Sequence, residues 1–202
     1  ENTVTYGELI HNKIVVDKLA EKGVTAVNDI SQCIGKKVIV RSHGAGKDFF
    51  DKASALGIEV IDATCPFVKK IHDIVYRHYI DGYHIAIIGK AGHPEVEGTN
   101  GWCENTASIV DDEKAAEALV HFERVCFVTQ TTYLLEKYLR ILKKIRKLPF
   151  KTVEIFNTIC YTTISRQNDA ENISRKCTKV LVIGSGNSSN TRKLMETAAG
   201  LS

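Results

Sequence analysis

The sequence predicts an α/β protein built on parallel sheets. Three observations carry this. Short apolar runs of four or five residues alternate with amphipathic stretches long enough to be helices. Strands that alternate with helices form parallel sheets joined by crossover helices. The runs are also followed, one after another, by loops rich in His, Cys, Thr and Ser.

The elements follow in order. Asn12 can cap a helix that runs through Ile14, Val15, Leu19 and Ala20 to Gly23. Lys37–Val40 (KVIV) reads as a buried strand. Lys47–Leu56 reads as a helix closed by Gly57, and Ile58–Ile61 as a strand. Pro66 suits a helix start, and that helix runs toward Gly82. Ile85–Ile88 is a strand, Glu113–Val120 a helix and Val125–Val128 a strand. Tyr133–Lys147 is a basic amphipathic helix ended by Pro149. Thr152–Phe156 is a strand, Thr163–Lys176 a helix, Val180–Ile183 (VLVI) a strand and Asn190–Ala199 a helix.

Bulk properties narrow the function. The 202 residues are 44% hydrophobic and 25% charged, ordinary for a globular protein. A net charge of +3 is too slight to argue for nucleic acid, and the run Lys143-Lys144-Ile145-Arg146-Lys147 reads as a solvated helix face. No apolar run reaches the ~18 residues of a membrane span, and no secretory signal is visible. The six cysteines are widely spaced with no CxxC pair, so a reducing cytoplasm is expected rather than a disulfide framework.

In open parallel sheets, ligands bind beyond the carboxyl ends of the strands. KVIV is followed by Arg41-Ser42-His43-Gly44, and IEVI by Asp62-Ala63-Thr64-Cys65-Pro66. IAII is followed by Gly89-Lys90-Ala91-Gly92-His93-Pro94-Glu95, and VCFV by Thr129-Gln130-Thr131-Thr132. TVEIF is followed by Asn157-Thr158-Ile159-Cys160, and VLVI by the string GSGNSSN, 184–190. In that last string Gly184 and Gly186 allow a tight turn, and Ser188, Ser189 and Asn190 place donors at a helix start, where a phosphate is favoured. Plain capping accounts for one of these three residues.

His43 and His93 sit beside glycines after strands, and His11 precedes a helix; each can donate to a phosphate. His72, His78, His84 and His121 read as structural or surface residues. Glu95 after Pro94 can favour a helix dipole or act as a general acid beside the phosphate pocket. Thr131 can hold a substrate hydroxyl or pass on that proton. Cys65 and Cys160 each end a strand loop and open a helix, a setting that favours thiolate. Paired there they fit an iron–sulfur cluster, a zinc site or a redox dithiol, against the plainer reading of two small buried residues. Cys126, inside a strand, reads as core.

The strings GELIHN (7–12), SHG (42–44), DATCP (62–66), GHPEVEG (92–98), TQTT (129–132), TICYTT (158–163) with Arg166-Gln167, and GSGNSSN resemble the 4-hydroxy-3-methylbut-2-enyl diphosphate reductases in their order along the chain. The resemblance implies three small, pseudo-repeated α/β domains around a central cluster: 1–64, 65–157 and the start of a third over 158–202. It implies reductive dehydration of an allylic diphosphate, a [4Fe-4S] cluster with three cysteine ligands, and ferredoxin or flavodoxin as electron donor. Cys65 and Cys160 are then cluster ligands. His11, His43, His93, Ser188, Ser189 and Asn190 hold the diphosphate, Glu95 supplies the proton and Thr131 assists. The family's amino-terminal cysteine and its carboxyl-terminal stretch have no counterpart here, so the 202 residues alone are expected to be inactive and unstable. Two rivals are a non-redox diphosphate-binding relative without a working cluster, and a zinc hydrolase using His11, His43, His93 and Glu95. Iron-independent binding without turnover marks the first, zinc-dependent phosphatase activity the second.

Overall fold

The computed structural model describes residues 2–10, 12–186 and 188–200. Along the chain come β1 (Thr3–Tyr6), α1 (Lys13–Glu21), β2 (Thr25–Val27), β3 (Lys37–Val40), α2 (Lys47–Ala55), β4 (Glu59–Asp62), α3 (Pro66–Ile80) and β5 (His84–Ile88). Then follow α4 (Pro94–Asn100), β6 (Ser108–Val110), α5 (Glu113–Glu117), β7 (Arg124–Thr129), α6 (Leu135–Ile145), β8 (Thr152–Ile155), α7 (Tyr161–Ser174) and α8 (Ser189–Ala198).

The strands form two four-stranded sheets, ordered β2-β1-β3-β4 and β6-β5-β7-β8, with every pairing parallel. The two orders are the same permutation, so the expected pseudo-repeat is present in the topology. In each sheet the strand order reverses direction between the two central strands, β1 and β3 in the first, β5 and β7 in the second. A crevice opens beyond the carboxyl ends at such a switch point. The loops after these four strands therefore face a ligand position before any side chain is considered.

The second sheet is covered on both faces, which is why its strands are apolar at consecutive positions. Ala86, Ile88, Val125 and Phe127 pack on one side with Tyr138, Ile141 and Ile145 of α6. Ile85, Ile87, Cys126 and Val128 pack on the other with Ile71 and Val75 of α3. In the first sheet Val38 and Val40 are buried with Phe49 and Ala53 of α2. Helix α1 buries no residue, and Asn12 caps it by accepting from the Val15 N–H at 3.4 Å. Its stability rests on that cap more than on packing.

The structure departs from the sequence reading in two ways. Strands β1, β2 and β6 were not foreseen; they are three or four residues long, too short to show a period. The strand expected at Val180–Ile183 does not form. Leu181 and Ile183 are 83% and 86% exposed, and among the described residues no strand lies beside the segment. Without a neighbour, a strand leaves its N–H and C=O groups unpaired, and the apolar run has nothing to pair with. Among the described residues after β8, α7 packs on α8 and no further sheet forms.

Candidate functional site

The loop after β3 carries Ser42 and His43. Gly44 then adopts φ +78°, and a Cβ on it would stand 2.5 Å from Cε1 of His72. Glycine is therefore required for both its conformation and its space. The same loop packs directly on the second unit. A Cβ on Gly98 of α4 would lie 3.4 Å from the carbonyl oxygens of His43 and Gly44, and one on Gly101 would lie 2.5 Å from Cα of Gly46. This backbone approach carries His43 to His93, whose ring it meets edge-on with centroids 5.7 Å apart.

His93 is the N-cap of α4, and its Nδ1 accepts from the Glu95 N–H at 3.2 Å. In the neutral ring the proton therefore sits on Nε2. The cap fixes Glu95 in the first turn, 2% exposed. Its Oε1 accepts from the Thr131 N–H and its Oε2 from the Thr131 hydroxyl, both at 2.6 Å. Burial pushes the Glu95 carboxyl above its ordinary value, and the two bonds from Thr131 oppose this only in part. A carboxyl raised in this way gives up a proton nearer neutral pH than an ordinary one does.

Cys65 and Cys160 occupy equivalent places. Each is an N-cap, of α3 and α7, and neither side chain caps its helix. The Cys65 N–H donates to the Ser42 carbonyl at 3.0 Å and the Cys160 N–H to the Thr131 carbonyl at 2.9 Å. Each cysteine is thus tied by its backbone to a switch-point loop. The two thiols line one cavity of about 260 Å³ together with Glu95, Thr131, Thr132 and Arg166. All six cysteines are unpaired. Burial pushes the Cys126 thiol up to about 12, in keeping with a core residue.

A second cavity of about 370 Å³ shares Ser42, His43, Thr132 and Asn190 with the first, so the two adjoin. It is walled by His43, His93, Ser188, Ser189 and Asn190. Ser188 does cap α8, accepting from the Thr191 N–H at 3.3 Å. Capping leaves Ser189 and Asn190 unexplained, and both face the cavity. His11 lies outside the described residues, between Ile10 and Asn12 that line this second cavity. The other expected site residues come together in one connected pair of cavities.

Comparison with known proteins bears on the family and the fold. The family model described as "LytB protein" matches residues 1–201. The chain belongs to the LytB family. A 4-hydroxy-3-methylbut-2-enyl diphosphate reductase of Thermoanaerobacter sp. (strain X514) is 45% identical over 193 residues, covering 94% of this chain and 67% of the relative. The reductase of Clostridioides difficile (strain 630) is 42% identical, covering 96% and 71%. The solved E-1-hydroxy-2-methyl-but-2-enyl-4-diphosphate reductase of Plasmodium falciparum superposes with TM-score 0.90 at 30% identity, over 99% of this chain and 64% of that one. A solved structure described as the terminal enzyme of the non-mevalonate pathway gives TM-score 0.74 at 33% identity, covering 99% and 72%. The chain spans about two thirds of the length of these LytB proteins.

LytB enzymes depend on iron and sulfur. Two unpaired thiols at helix N-termini, lining one cavity, suit part of such a donor set. Among the described residues no group of three or more His, Cys, Asp or Glu is gathered as a metal site. The structure adds polar cavity residues to which sequence reasoning assigned no individual role, Ser42, Thr132, Thr162 and Arg166 among them. All four lie within or beside strings already singled out (SHG, TQTT, TICYTT and the Arg166-Gln167 pair after it), and position alone could have flagged them.

Proposed function

We propose that this chain carries the substrate site of a 4-hydroxy-3-methylbut-2-enyl diphosphate reductase, which converts its substrate to isopentenyl and dimethylallyl diphosphate. One observation carries the reading. A buried, hydrogen-bonded Glu95–Thr131 pair lies on the cavity of Cys65 and Cys160, and that cavity adjoins one walled by His43, His93 and the Ser188–Asn190 helix start.

The larger cavity takes the diphosphate. His43 and His93 donate from their rings, and Ser188, Ser189 and Asn190 donate from the start of α8, where the helix dipole adds to the attraction. His11 belongs to the same set in sequence. The allylic hydroxyl then points into the smaller cavity, toward Thr131. Cys65 and Cys160 would hold part of a [4Fe-4S] cluster, which when bound would supply Lewis-acid activation and relay two electrons, one at a time, from an external reductant. When Glu95 is protonated on Oε2, the Thr131 hydroxyl turns from donating to that oxygen, the pair lying 2.6 Å apart, to accepting from it; Glu95 then gives its proton to Thr131 Oγ1 while Thr131 passes its own to the departing hydroxyl. The C–O bond breaks and the hydroxyl leaves as water, while the allyl fragment takes two electrons that originate in the external reductant and a second proton from solvent. Ferredoxin or flavodoxin serves as electron donor, and the unpaired cysteines suit a reducing cytoplasm. The domains divide as 1–64, 65–157 and 158 onward, each end of a unit bearing part of the site.

The test is anaerobic assay of the intact, cluster-loaded protein with reductant and the hydroxylated diphosphate. Both isomeric products are expected. Tight, iron-independent diphosphate binding without product would support the non-redox relative instead. The zinc-hydrolase reading loses ground because both oxygens of Glu95 are engaged by Thr131.

A further inference from the structure

Gln130 lies between the two switch-point loops of the second sheet and is 3% exposed, yet the mechanism above gives it no role. Its place is made by Gly89, where a Cβ would stand 3.2 Å from both Cβ and Oε1 of Gln130. The side chain makes two bonds of opposite sense. Its Oε1 accepts from the Lys90 N–H at 3.1 Å, and its Nε2 donates to Thr132 Oγ1 at 2.8 Å. A backbone N–H can only donate, so the amide oxygen must face Lys90. The NH₂ group must then face Thr132. Thr132 Oγ1 lies in turn 3.2 Å from Ser189 Oγ, and both hydroxyls line the larger cavity.

Counting protons gives the consequence. Gln130 brings one, and the two hydroxyls bring one each. One fills the Gln130–Thr132 bond and one the Thr132–Ser189 bond. The third is left for the cavity, whichever hydroxyl donates to the other. We infer that Gln130 is a positioning residue that sets the polarity of a Gln130–Thr132–Ser189 relay, so that the hydroxyl pair presents a donor to an anionic ligand while staying bonded to itself. The relay also ties the loop after β7 to the start of α8, so it joins the second unit to the last segment. This inference rests on the diphosphate reading of the larger cavity.

Gln130→Glu keeps the shape and reverses the sense. The carboxylate still accepts from Lys90 but now also demands a proton from Thr132. One proton then remains for two needs, and ligand donation must break the Thr132–Ser189 bond. Binding of inorganic pyrophosphate to the intact protein, measured by calorimetry, is the readout. Q130E should weaken it about tenfold, the scale of one hydrogen bond to a charged group. Simple charge repulsion would do the same, so the deciding measurement is a double-mutant cycle with Thr132→Val. If Q130E acts through the Thr132 hydroxyl, its cost should fall below about twofold in the T132V background. T132V alone keeps the Ser189 proton but loses the bond that aims it, so it should lose a smaller factor, about threefold, the scale of one neutral hydrogen bond, and Thr132→Ser should bind like the unaltered protein. Undiminished cost of Q130E in the T132V background, or full affinity in either Q130E or T132V, overturns the relay. Should Q130E not fold, the T132V and T132S pair decides in the same sense. Failure of the unaltered protein to bind pyrophosphate at all overturns the diphosphate reading and the relay with it.

Discussion

Thr131 grips both oxygens of the Glu95 carboxyl, one through its backbone N–H and one through its hydroxyl, each at 2.6 Å. The backbone bond fixes the carboxyl in place, and the hydroxyl bond gives it a proton path. Glu95→Gln keeps the shape and removes the acid. Turnover by the cluster-loaded protein should drop by about 10²–10⁴, the usual worth of a positioned general acid, while pyrophosphate affinity stays within about twofold. Equal loss of both quantities would make Glu95 a binding group instead.

The same pair has a signature in stability. The folded carboxyl titrates above its unfolded value because of burial. A group with a raised folded value contributes stability below the unfolded value and loses it as pH rises through the folded one. The amide that replaces the carboxyl in E95Q never ionises. The urea midpoint of E95Q relative to the unaltered protein should therefore climb as pH rises from the ordinary carboxylate range toward neutrality. A difference constant with pH would mean that burial does not raise the Glu95 carboxyl above its unfolded value.

Cys65 and Cys160 should differ from Cys126 in what they lose. Cys65→Ser and Cys160→Ser should lower bound iron and the visible absorption of the reconstituted intact protein, with little change in the melting point of the iron-free form. Cys126→Ser places a hydroxyl in the core of β7, where the native residue is fully buried. It should cost about 1–3 kcal/mol of stability and leave iron content unchanged. Iron retained in C65S and C160S alike would remove both from the cluster set.

Much of this site was legible because parallel sheets put their chemistry in one place. Once IAII, VCFV and TVEIF are strands of one parallel sheet, the residues after them share an edge, which brings His93, Thr131 and Cys160 together, and His43 follows KVIV at the matching edge of the other sheet. Gln130 was not legible. Its role depends on the Lys90 N–H, forty positions away, facing its amide across the gap between β5 and β7. Ser189 illustrates the same limit: beside Ser188 in sequence the two look alike, and only the structure separates the cap from the residue bonded to Thr132. The VLVI run failed for the opposite reason. Apolar pattern reports a wish to be buried, and a strand needs a neighbour that local pattern does not describe.

The contact between Gly46 and Gly101 should be a sensitive hinge for the whole site. Gly101 has φ −63°, so alanine meets no backbone penalty there, but its Cβ would stand 2.5 Å from Cα of Gly46. Backbone atoms cannot swing aside as a side chain can. Gly101→Ala should push the loop after β3 away from α4, lower stability by about 1–3 kcal/mol as overpacking does, and raise KM more than it lowers kcat by separating His43 from His93. Thermal melts and steady-state kinetics measure the two effects. Unchanged melting and KM would show that this approach does not hold the two histidines together.

His72 should govern the acid side of the stability curve. It lies buried in α3, stacked on Trp102 at 5.0 Å and pressed on Gly44, and burial lowers its value from 6.5 to about 4. The unfolded chain takes up a proton near 6.5 that the folded one refuses until about 4. Stability is therefore full above the unfolded value and declines as pH falls toward the folded one, by roughly 3 kcal/mol over the whole window. His72→Phe keeps the aromatic stack and removes the titration. It should flatten the fall in urea midpoint across that window while leaving the slope at higher pH unchanged. The loop bearing His43 rests on this ring through Gly44, so pyrophosphate binding by H72F at neutral pH serves as the control that the prop is intact. If unaltered protein and H72F lose stability in parallel below pH 6.5, the proton is going elsewhere.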